Sequence, residues 1–548
     1  MIPGLLWFVV LATWTPVGGA GAGPVEIVLD RDNIEVTTDT LVRPGSYAVP
    51  DADGNGVVHI TADGVTVDFQ GAELVGFTDP RQPDACTGTG VVITGEGVTL
   101  RNAKVRGFKV GILAHGAARL TVEDVDVSGN FRQRLGSTPQ REDPRDWLSP
   151  HGNDERQWPT AYGAGLCVER SDSVVIRRVR ARAGQNGIIL DRVDDSRVCD
   201  NDCSFLSGWG LALWRSSRNL ICRNAFDFCI RGYSHGVYNR GQDSAGILIF
   251  EQCCGNIIAE NSATHCGDGV FGFAGLEALS RRHRAGSNDN LLIGNDFSYA
   301  AAHGIEMTFG FGNRFIANRL VGNAICGVWA GYSQDTLIAG NVIAENGHAG
   351  YRVERGGVNI EHGSRNVIRN NMFRGNSCGV FLWSDEDARL MNEPWVQANH
   401  RGSTDNRLLA NTFEGDAIAV QLRETVRTTL AANTMTDVGV KVDADEVSRP
   451  EQVDGIPRPW QPPPYPTCGE TRPVGAREHL RGRERIVVTE WGRTTSRSRP
   501  SAPRAFWAGG RPSSRCWLRV GGSELPAWTA PSRSLRPRGT CPGRWPSL

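Results

Sequence analysis

Side chains suited to acid–base chemistry are concentrated near the middle of this 548-residue chain. A loop at 234–243 is dense in His, Tyr, Arg and Asp, and a second group follows at 265–268. Asp268 and His303 each stand directly before a glycine of the same repeating unit, so we expect them on adjacent turns of the fold. The predicted catalytic residues are His235, Tyr238, Arg240, Asp243, His265, Asp268, His303 and Glu306.

These residue types suit proton transfer on an acidic sugar. An arginine pairs with a uronate carboxylate, and a histidine or tyrosine moves the C5 proton. Two alternatives stay open. The same groups could bind a divalent cation, the one cofactor that the sequence suggests, or they could cap the turns of an irregular segment. No metal ligands are assigned from spacing, because the sequence has neither two CxxC pairs nor a CxxC pair with an HxxxH partner.

Large aromatic residues recur two or four positions after a repeated glycine and are expected to face outward. Such a row could stack against sugar rings, or insertions at 130–160, 276–287 and 384–404 could cover it and form a second apolar core. Both interpretations stay open, and a groove walled by the insertions would satisfy both. The predicted substrate-binding residues are Trp214, Phe271, Phe273, Trp329 and Trp383.

Acidic residues share that outward face. Asp191, Glu306 and Glu361 fall on the same columns, and Glu251 lies beside them. Carboxylates one repeat apart would perturb each other's pKa, which is how a sugar-cleaving pair divides the acid from the base or nucleophile. The alternative is that each acid only solvates the surface.

A repeat of 22 or 23 residues organises the chain. A Gly followed by alternating apolar residues recurs from Gly165 to Gly439, and units such as NIIAENSA and NLLIGNDF follow each one. Several short strands per repeat predict an all-β parallel solenoid of about a dozen coils. Residues one and three after each Gly should face the core. The inner asparagines, expected to stack as a structural ladder, are Asn201, Asn224, Asn261, Asn295, Asn318, Asn341, Asn371, Asn411 and Asn433.

These units resemble the right-handed parallel β-helix repeats of the pectin-lyase-like superfamily, in the subgroup of NosD and the alginate C5-epimerases, over residues 60–445. The resemblance implies the fold, but that superfamily contains lyases, hydrolases, epimerases and non-enzymatic proteins. The epimerases' Asp-Pro-His motif has a partial counterpart in Ser149-Pro150-His151, with Asp154 nearby. Ser replaces the acid and the segment lies in an insertion, so epimerase catalysis is not carried over. Copper binding has little support, since there is no Met or His cluster and only five Met.

Composition divides the chain into four segments. Residues 1–22 have an apolar core followed by small residues, which indicates a signal peptide. The β-helix is expected at 23–445 and a Pro-rich linker with a short terminal strand at 446–492. Residues 493–548 carry 11 Arg and one acidic residue, which is typical of a disordered tail or an out-of-frame end. The remaining body is therefore acidic, which argues against nucleic acid as a partner.

Fourteen cysteines are spread over the chain. Cys199 and Cys222 occupy the same position in consecutive coils, as do Cys229 and Cys266. Each pair could form a disulfide or two stacked free thiols.

We therefore expect a secreted or periplasmic monomer without a membrane span. Its partner would be a polysaccharide or other glycan, on which it acts as a lyase, epimerase or hydrolase of acidic glycans. The alternative is a non-catalytic scaffold, either carbohydrate-binding or a NosD-like periplasmic accessory protein.

Overall fold

The computed structural model describes residues 23–77, 79–149, 151–282, 284–386, 390–455, 459–473, 475 and 478–492. The predicted signal peptide (1–22) and basic tail (493–548) lie outside these residues.

The chain winds into a parallel β-helix whose coils share three faces. Sheet I has 16 strands in the described residues, each paired in parallel with the strand of the next coil. Its strands are three residues long in almost every coil, with the central apolar residue, such as Ile258, facing the core. In chain order they are Val25–Ile27, Thr40–Val42, Thr66–Asp68, Thr99–Arg101, Thr121–Glu123, Val175–Arg177, Arg197–Cys199, Leu220–Cys222, Ile257–Ala259, Leu291–Ile293, Arg314–Ile316, Leu337–Ala339, Val367–Arg369, Arg407–Leu409, Thr429–Ala431 and Glu451–Gln452.

Sheet II has 15 strands in the described residues and contains the repeated glycines. This exceeds the expected dozen coils, because the glycine unit was counted from Gly165 and four strands of sheet II precede it. The strands are Ile34–Val36, Val58–Ile60, Thr87–Ile93, Phe108–His115, Ala164–Glu169, Ile188–Asp191, Trp209–Trp214, Ala245–Phe250, Asp268–Phe273, His303–Thr308, Cys326–Trp329, Gly356–Glu361, Val380–Trp383, Ile418–Arg423 and Val440–Ala444.

Sheet III is a discontinuous third face. Its two parts are joined through single bridging residues, from Asp126 to Asp296. Its strands are Ser46–Ala48, Glu73–Val75, Lys104–Arg106, Arg319–Val321, Val342–Ala344, Met372–Arg374, Thr412–Glu414 and Thr434–Thr436. The remaining elements lie outside the three sheets. Two short strand pairs are Tyr233–Ser234 with Tyr238–Asn239 and Ser403–Thr404 with Thr425–Val426. The helices and turns are the α-helices Leu276–Leu279 and Pro394–Asn399, the π-turn Trp158–Tyr162, and the 3-10 turns Pro83–Ala85, Pro144–Asp146, Gly241–Asp243, Leu390–Asn392, Glu478–Leu480 and Arg483–Arg485.

The repeated glycine has a steric cause. A Cβ atom at Gly269 would lie 2.4 Å from the carbonyl oxygen of Gly304 in the next coil and 2.8 Å from Cβ of Phe297. Only glycine lets the corner of one coil approach the next this closely. The column therefore fixes the register in which residues on either side of it stack.

The core prediction for sheet II is confirmed. The residues one and three positions after the glycines are fully buried, among them Ile188, Leu190, Ile247 and Ile249. They belong to one continuous apolar core that runs along the coils. Because each coil buries its apolar face only against its neighbours, stability comes from stacking.

The asparagine ladder is also confirmed. Asn318 Oδ1 accepts hydrogen bonds from the backbone N–H and Nδ2 of Asn295, both at 3.0 Å, and its own Nδ2 donates to the carbonyl of Leu292 at 2.9 Å. The same pattern repeats from Asn201 to Asn433. The amides satisfy backbone groups at a corner where the strands leave them unpaired.

Replacing Asn318 by alanine should lower the free energy of unfolding by about 2 kcal/mol, because buried backbone groups of Asn295 and Leu292 lose their partners. Urea unfolding followed by circular dichroism measures this loss. Asn55→Ala, at an exposed turn whose backbone is not left-handed, is the matched control. An equal effect of both substitutions would contradict the structural role of the ladder.

The C-terminal segment departs from expectation. The predicted terminal strand is ERIVVTEWG, residues 484–492. It begins within the 3-10 turn Arg483–Arg485 and ends in a tight turn closed by Thr489 and Gly492. The buried Ile486 packs beside Ile230, so the segment covers a corner of the coils and does not extend a sheet. No helix in the described ranges is long and apolar enough to cross a membrane.

The cysteine register is confirmed, and the described cysteines are free thiols. Cys199 and Cys222 pair directly in sheet I. The thiol of Cys468, from the Pro-rich segment, contacts both of them, and contact between the stacked thiols raises the pKa of Cys468. The Pro-rich segment therefore lies against sheet I over these two coils.

Candidate active site

Insertions cover the outward aromatic face of sheet II. The Trp158 ring lies 4.8 Å from Trp209 and 5.3 Å from Trp214, and Trp395 lies 5.1 Å from Phe309, all between ring centroids. These contacts form a second apolar cluster outside the coils.

This corrects the interpretation of the aromatic row as an open sugar platform. Trp214, Phe273, Trp329 and Trp383 are each at most 6% exposed. Phe271 alone among the five predicted substrate-binding residues is partly exposed. The physical reason differs along the row. Aromatic side chains of the insertions cover Trp214 and Phe273, whereas Trp329 and Trp383 pack in a separate cluster with Ile325 and Phe381. The covered second core, which the sequence left open as an alternative, is what the structure shows.

Asp268, His303 and Glu306 form an acid–imidazole cluster where two adjacent strands of sheet II begin. Asp268 Oδ1 accepts a hydrogen bond from the backbone N–H of His303 at 2.7 Å. His303 Nε2 lies 3.8 Å from Glu306 Oε2. One donor atom from each of the three residues lies within 4.8 Å of the others. The stacked glycines that follow Asp268 and His303 produce this convergence.

Burial sets the protonation of the cluster. It raises the pKa of Asp268 and of Glu306, and the nearby negative charge of Asp243 raises both further. Burial also lowers the pKa of His303 to about 3, with a further contribution from the positive charge of Arg240. The cluster therefore favours neutral carboxyl groups beside a neutral imidazole. Such groups can donate protons, and the same three side chains are also of the types that bind a divalent cation.

A histidine from the 130–160 insertion meets Asp243 beside this cluster. His151 Nε2 lies 2.7 Å from Asp243 Oδ2. The His151 ring packs edge-on against Phe250 and Phe271, with centroid distances of 5.5 and 6.2 Å. Phe271 is paired with Glu306 in the sheet register. The His151–Asp243 pair thus lies over the strand next to the one that carries Glu306.

Two buried tryptophans hydrogen-bond to the backbone of this pair. The backbone carbonyl of His151 accepts a hydrogen bond from Trp158 Nε1 at 3.2 Å, and the carbonyl of Asp243 accepts one from Trp209 Nε1 at 2.8 Å. The two tryptophans pack on each other. The covered aromatic core therefore positions the pair, which is a different role from the sugar binding predicted for this face.

Arg240 supplies a positive charge at the same place. Its guanidinium lies over the ring of Tyr351, 4.9 Å from the centroid. Burial raises the pKa of Glu354, and the charge of Arg240 opposes that rise. Since Arg240 also lowers the pKa of His303, its charge reaches the acid–imidazole cluster.

Three of the predicted catalytic residues do not join this group. His235 is exposed and its Nδ1 lies 2.8 Å from the hydroxyl of Tyr233. The Tyr238 hydroxyl donates to the carbonyl of Thr138 at 2.6 Å. His265 is fully buried, with its ring stacked 4.4 Å from Phe228. Local pairing in a hairpin and stacking at a coil corner account for these three positions. Arg240, Asp243, Asp268, His303 and Glu306 do converge.

The other acids pair differently from the predicted column. Asp191 stands opposite Glu169 in the register of the sheet, and burial raises the pKa of Asp191 to about 6. Both residues line a polar cavity of about 250 Å³. Glu361 lies two coils beyond Glu306, beside His362. The outward acids therefore belong to separate sites along the helix.

Comparison with known families agrees with the fold. Residues 275–393 match the family model described as a right handed beta helix region. The chain folds as a right-handed parallel β-helix. The β-helix also matches, over residues 347–445, the family model described as periplasmic copper-binding protein (NosD). The predicted resemblance is thereby confirmed. No curated protein matches the chain.

Several solved structures are similar to this β-helix. The A-module of the mannuronan C-5 epimerase AlgE6 from Azotobacter vinelandii is 13% identical over 77% of this chain and 92% of its own, with a TM-score of 0.38. A PL6 alginate lyase solved with a trisaccharide is 16% identical over 77% and 90%, with a TM-score of 0.40. The Dettilon tailspike protein is 14% identical over 77% and 60%, with a TM-score of 0.36.

His151 is the residue that sequence reasoning set aside. Its Ser-Pro-His context lacks the acid expected two positions earlier, and it lies in an insertion. In the β-helix His151 pairs with Asp243, 92 residues later in the chain. The motif drew attention to His151, but it could not show that the loop at 234–243 places a carboxylate against it.

Proposed function

We propose that this β-helix protein is an exported enzyme that moves a proton on the sugar ring of an acidic polysaccharide, as a lyase or C5-epimerase. One observation carries the proposal: the His151–Asp243 pair lies beside two carboxyl groups, Asp268 and Glu306, whose pKa values are raised. When the environments of neighbouring titratable groups move their pKa values apart, one group can act as the base and another as the acid.

His151 is assigned as the base. A carboxylate bound to one imidazole nitrogen fixes the ring and its tautomer, and it stabilises the imidazolium formed when the other nitrogen takes a proton. Asp243 provides that carboxylate at 2.7 Å. The edge-on contact with Phe271 holds the ring over the partly exposed part of the face.

Glu306 is assigned as the acid, and Asp268 is the more deeply buried carboxyl group beside it. A carboxyl group that retains its proton toward neutral pH can protonate the leaving oxygen in a lyase reaction, or the opposite face of the ring in an epimerase reaction. Asp268 is 4% exposed, whereas the Glu306 side chain is 19% exposed, so Glu306 is the member of the pair that a substrate can reach.

Arg240 is assigned to the uronate carboxylate. Removal of the C5 proton becomes easier when the adjacent carboxylate is neutralised, because negative charge then develops next to a cation. Guanidinium groups pair with carboxylates in a planar, two-point geometry. A neutral sugar offers Arg240 no such partner, so the site favours acidic glycans.

The test is turnover by the purified full chain on a panel of polyuronates and neutral glucans in deuterated water. We expect unsaturated uronate absorbance, or solvent deuterium at C5, on at least one polyuronate and on no glucan. New reducing ends without unsaturation would instead indicate a hydrolase. The absence of product and of exchange on every glycan would overturn the enzyme proposal.

Arg240→Lys tests the substrate class. The lysine keeps the charge but loses the two-point geometry, so we expect KM for the polyuronate to rise at least about 10-fold. Steady-state kinetics with an active polyuronate measures the change. An unchanged KM would remove Arg240 from the substrate-binding role.

The second candidate is a non-catalytic periplasmic scaffold. The NosD match over 347–445 favours it, and that family is described as copper-binding. This candidate predicts retention of glycans or of Cu²⁺ by the wild type without any C5 exchange. The deuterium experiment separates it from the enzyme.

A further inference from the structure

We propose that Glu361, His362 and Asp385 form a binding site for a first-row divalent cation such as Zn²⁺, separate from the candidate active site. His362 directly follows the strand Gly356–Glu361, and Asp385 comes from the next coil, where the 384–404 insertion begins. The proposal does not depend on the proposed enzyme activity.

The three side chains converge on one ring nitrogen. His362 Nε2 lies 3.2 Å from Asp385 Oδ1 and 3.7 Å from Glu361 Oε1. One donor atom from each residue lies within 4.8 Å of the other two. Imidazole nitrogen and carboxylate oxygen are both ligand types that zinc accepts.

The other ring nitrogen has a partner that favours metal binding. His362 Nδ1 lies 3.0 Å from Ser384 Oγ. When the serine hydroxyl accepts the Nδ1–H, Nε2 bears the lone pair that a metal ion needs, on the side of Asp385 and Glu361. Metal-binding histidines are commonly oriented in this way through their second nitrogen.

Burial shields most of the site from water. The side chain of His362 is fully buried and that of Glu361 is 3% exposed. The Asp385 side chain is 55% exposed, which leaves an entry path from solvent.

Both ends of the insertion meet at this point. His400, just after the helix Pro394–Asn399, has its ring 4.9 Å from that of His362, in an edge-on arrangement. A cation held by Asp385 and His362 would tie the start of the insertion to the coil it covers. Imidazole with carboxylates suits zinc better than calcium, which prefers oxygen ligands alone.

The test is titration of the chelator-treated full chain with Zn²⁺ by calorimetry, supported by visible absorption of bound Co²⁺. We expect the wild type to bind Zn²⁺ at a site that is lost in His362→Ala and in Asp385→Asn. Ser384→Ala should weaken binding about 10- to 100-fold, because it removes the group that orients the ring. Asp385→Asn is on an exposed loop and keeps the experiment interpretable if His362→Ala fails to fold.

Two controls isolate the site. Glu386→Gln removes an exposed carboxylate adjacent to Asp385 and should leave the titration unchanged. Glu306→Gln should also leave it unchanged, which excludes the acid–imidazole cluster as the source of the signal. Absence of Zn²⁺ binding, or binding that survives Asp385→Asn, would overturn the proposal and leave His362 as a hydrogen-bonding partner of the two carboxyl groups.

Discussion

Replacing His151 by glutamine should lower kcat on the active polyuronate by about 10²- to 10⁴-fold, the range that a positioned general base contributes. Glutamine keeps a hydrogen-bonding group next to Asp243 but cannot accept a proton from the sugar. Because the ring also packs on Phe250 and Phe271, the fold should persist. KM should change little, since the lost interaction acts in the proton-transfer step.

Three comparisons make the His151 result specific. Asp243→Asn should reduce kcat less than His151→Gln does, because the base remains but its orientation and charge support are weakened. His348→Gln, at an exposed histidine whose Nε2 lies 2.9 Å from the carbonyl oxygen of Gly375, is the matched control. His235→Gln discriminates between the sequence prediction and the geometry. Loss of activity there, with retention in His151→Gln, would contradict the assignment.

The fold was predictable because its signals are local and repeated. The glycine that permits close stacking at Gly269 and the amide of Asn318 recur at the same position of each coil. Any one of them is ambiguous, but their period is not. The terminal ERIVVTEWG segment has no such repetition, so its alternating apolar residues predicted a strand where the chain forms turns.

The candidate site was predictable only as far as the register extends. Asp268 and His303 were brought together correctly because each directly precedes a stacked glycine. His265 has a left-handed backbone, with φ of 58°, and its ring joins the stack on Phe228, which the spacing to Asp268 does not indicate. His151 and Asp243 lie on two different insertions, and the sequence does not specify how two insertions fold over one face.

The covering of the aromatic row was unpredictable for the same reason. The alternation in sheet II predicts that Trp214 points outward, and it does. Whether that side faces solvent or a second core depends on the position of Trp158. Trp158 precedes Trp214 by 56 residues, which is too far for a local pattern to decide. Long-range packing therefore decides the function of this face, whereas short-range pattern decides its geometry.

The stability of this second core should depend on pH through Glu251. Its side chain is buried beneath the helix Leu276–Leu279, where Glu251 Oε1 accepts from Gln252 Nε2 at 3.3 Å. Burial raises the pKa of Glu251 to about 7 from 4.5, and the charge of Arg215 opposes this rise. Below the pKa of 4.5 in the unfolded state, the folded and unfolded states both bind the proton, so the raised pKa does not change the free energy of unfolding. As pH rises toward about 7, the unfolded state ionises while the folded state retains its proton, so stability falls.

Glu251→Gln should therefore stabilise the protein by about 3 kcal/mol at about pH 8, because each pKa unit corresponds to roughly 1.4 kcal/mol. This gain should vanish at about pH 4, where the carboxyl group is protonated in both states. The neutral amide retains the shape of the carboxyl group and carries no charge to bury. Urea midpoints at both pH values, with the exposed Glu345→Gln as control, measure the difference. A gain of equal size at both pH values would show that packing, and not the buried charge, is responsible.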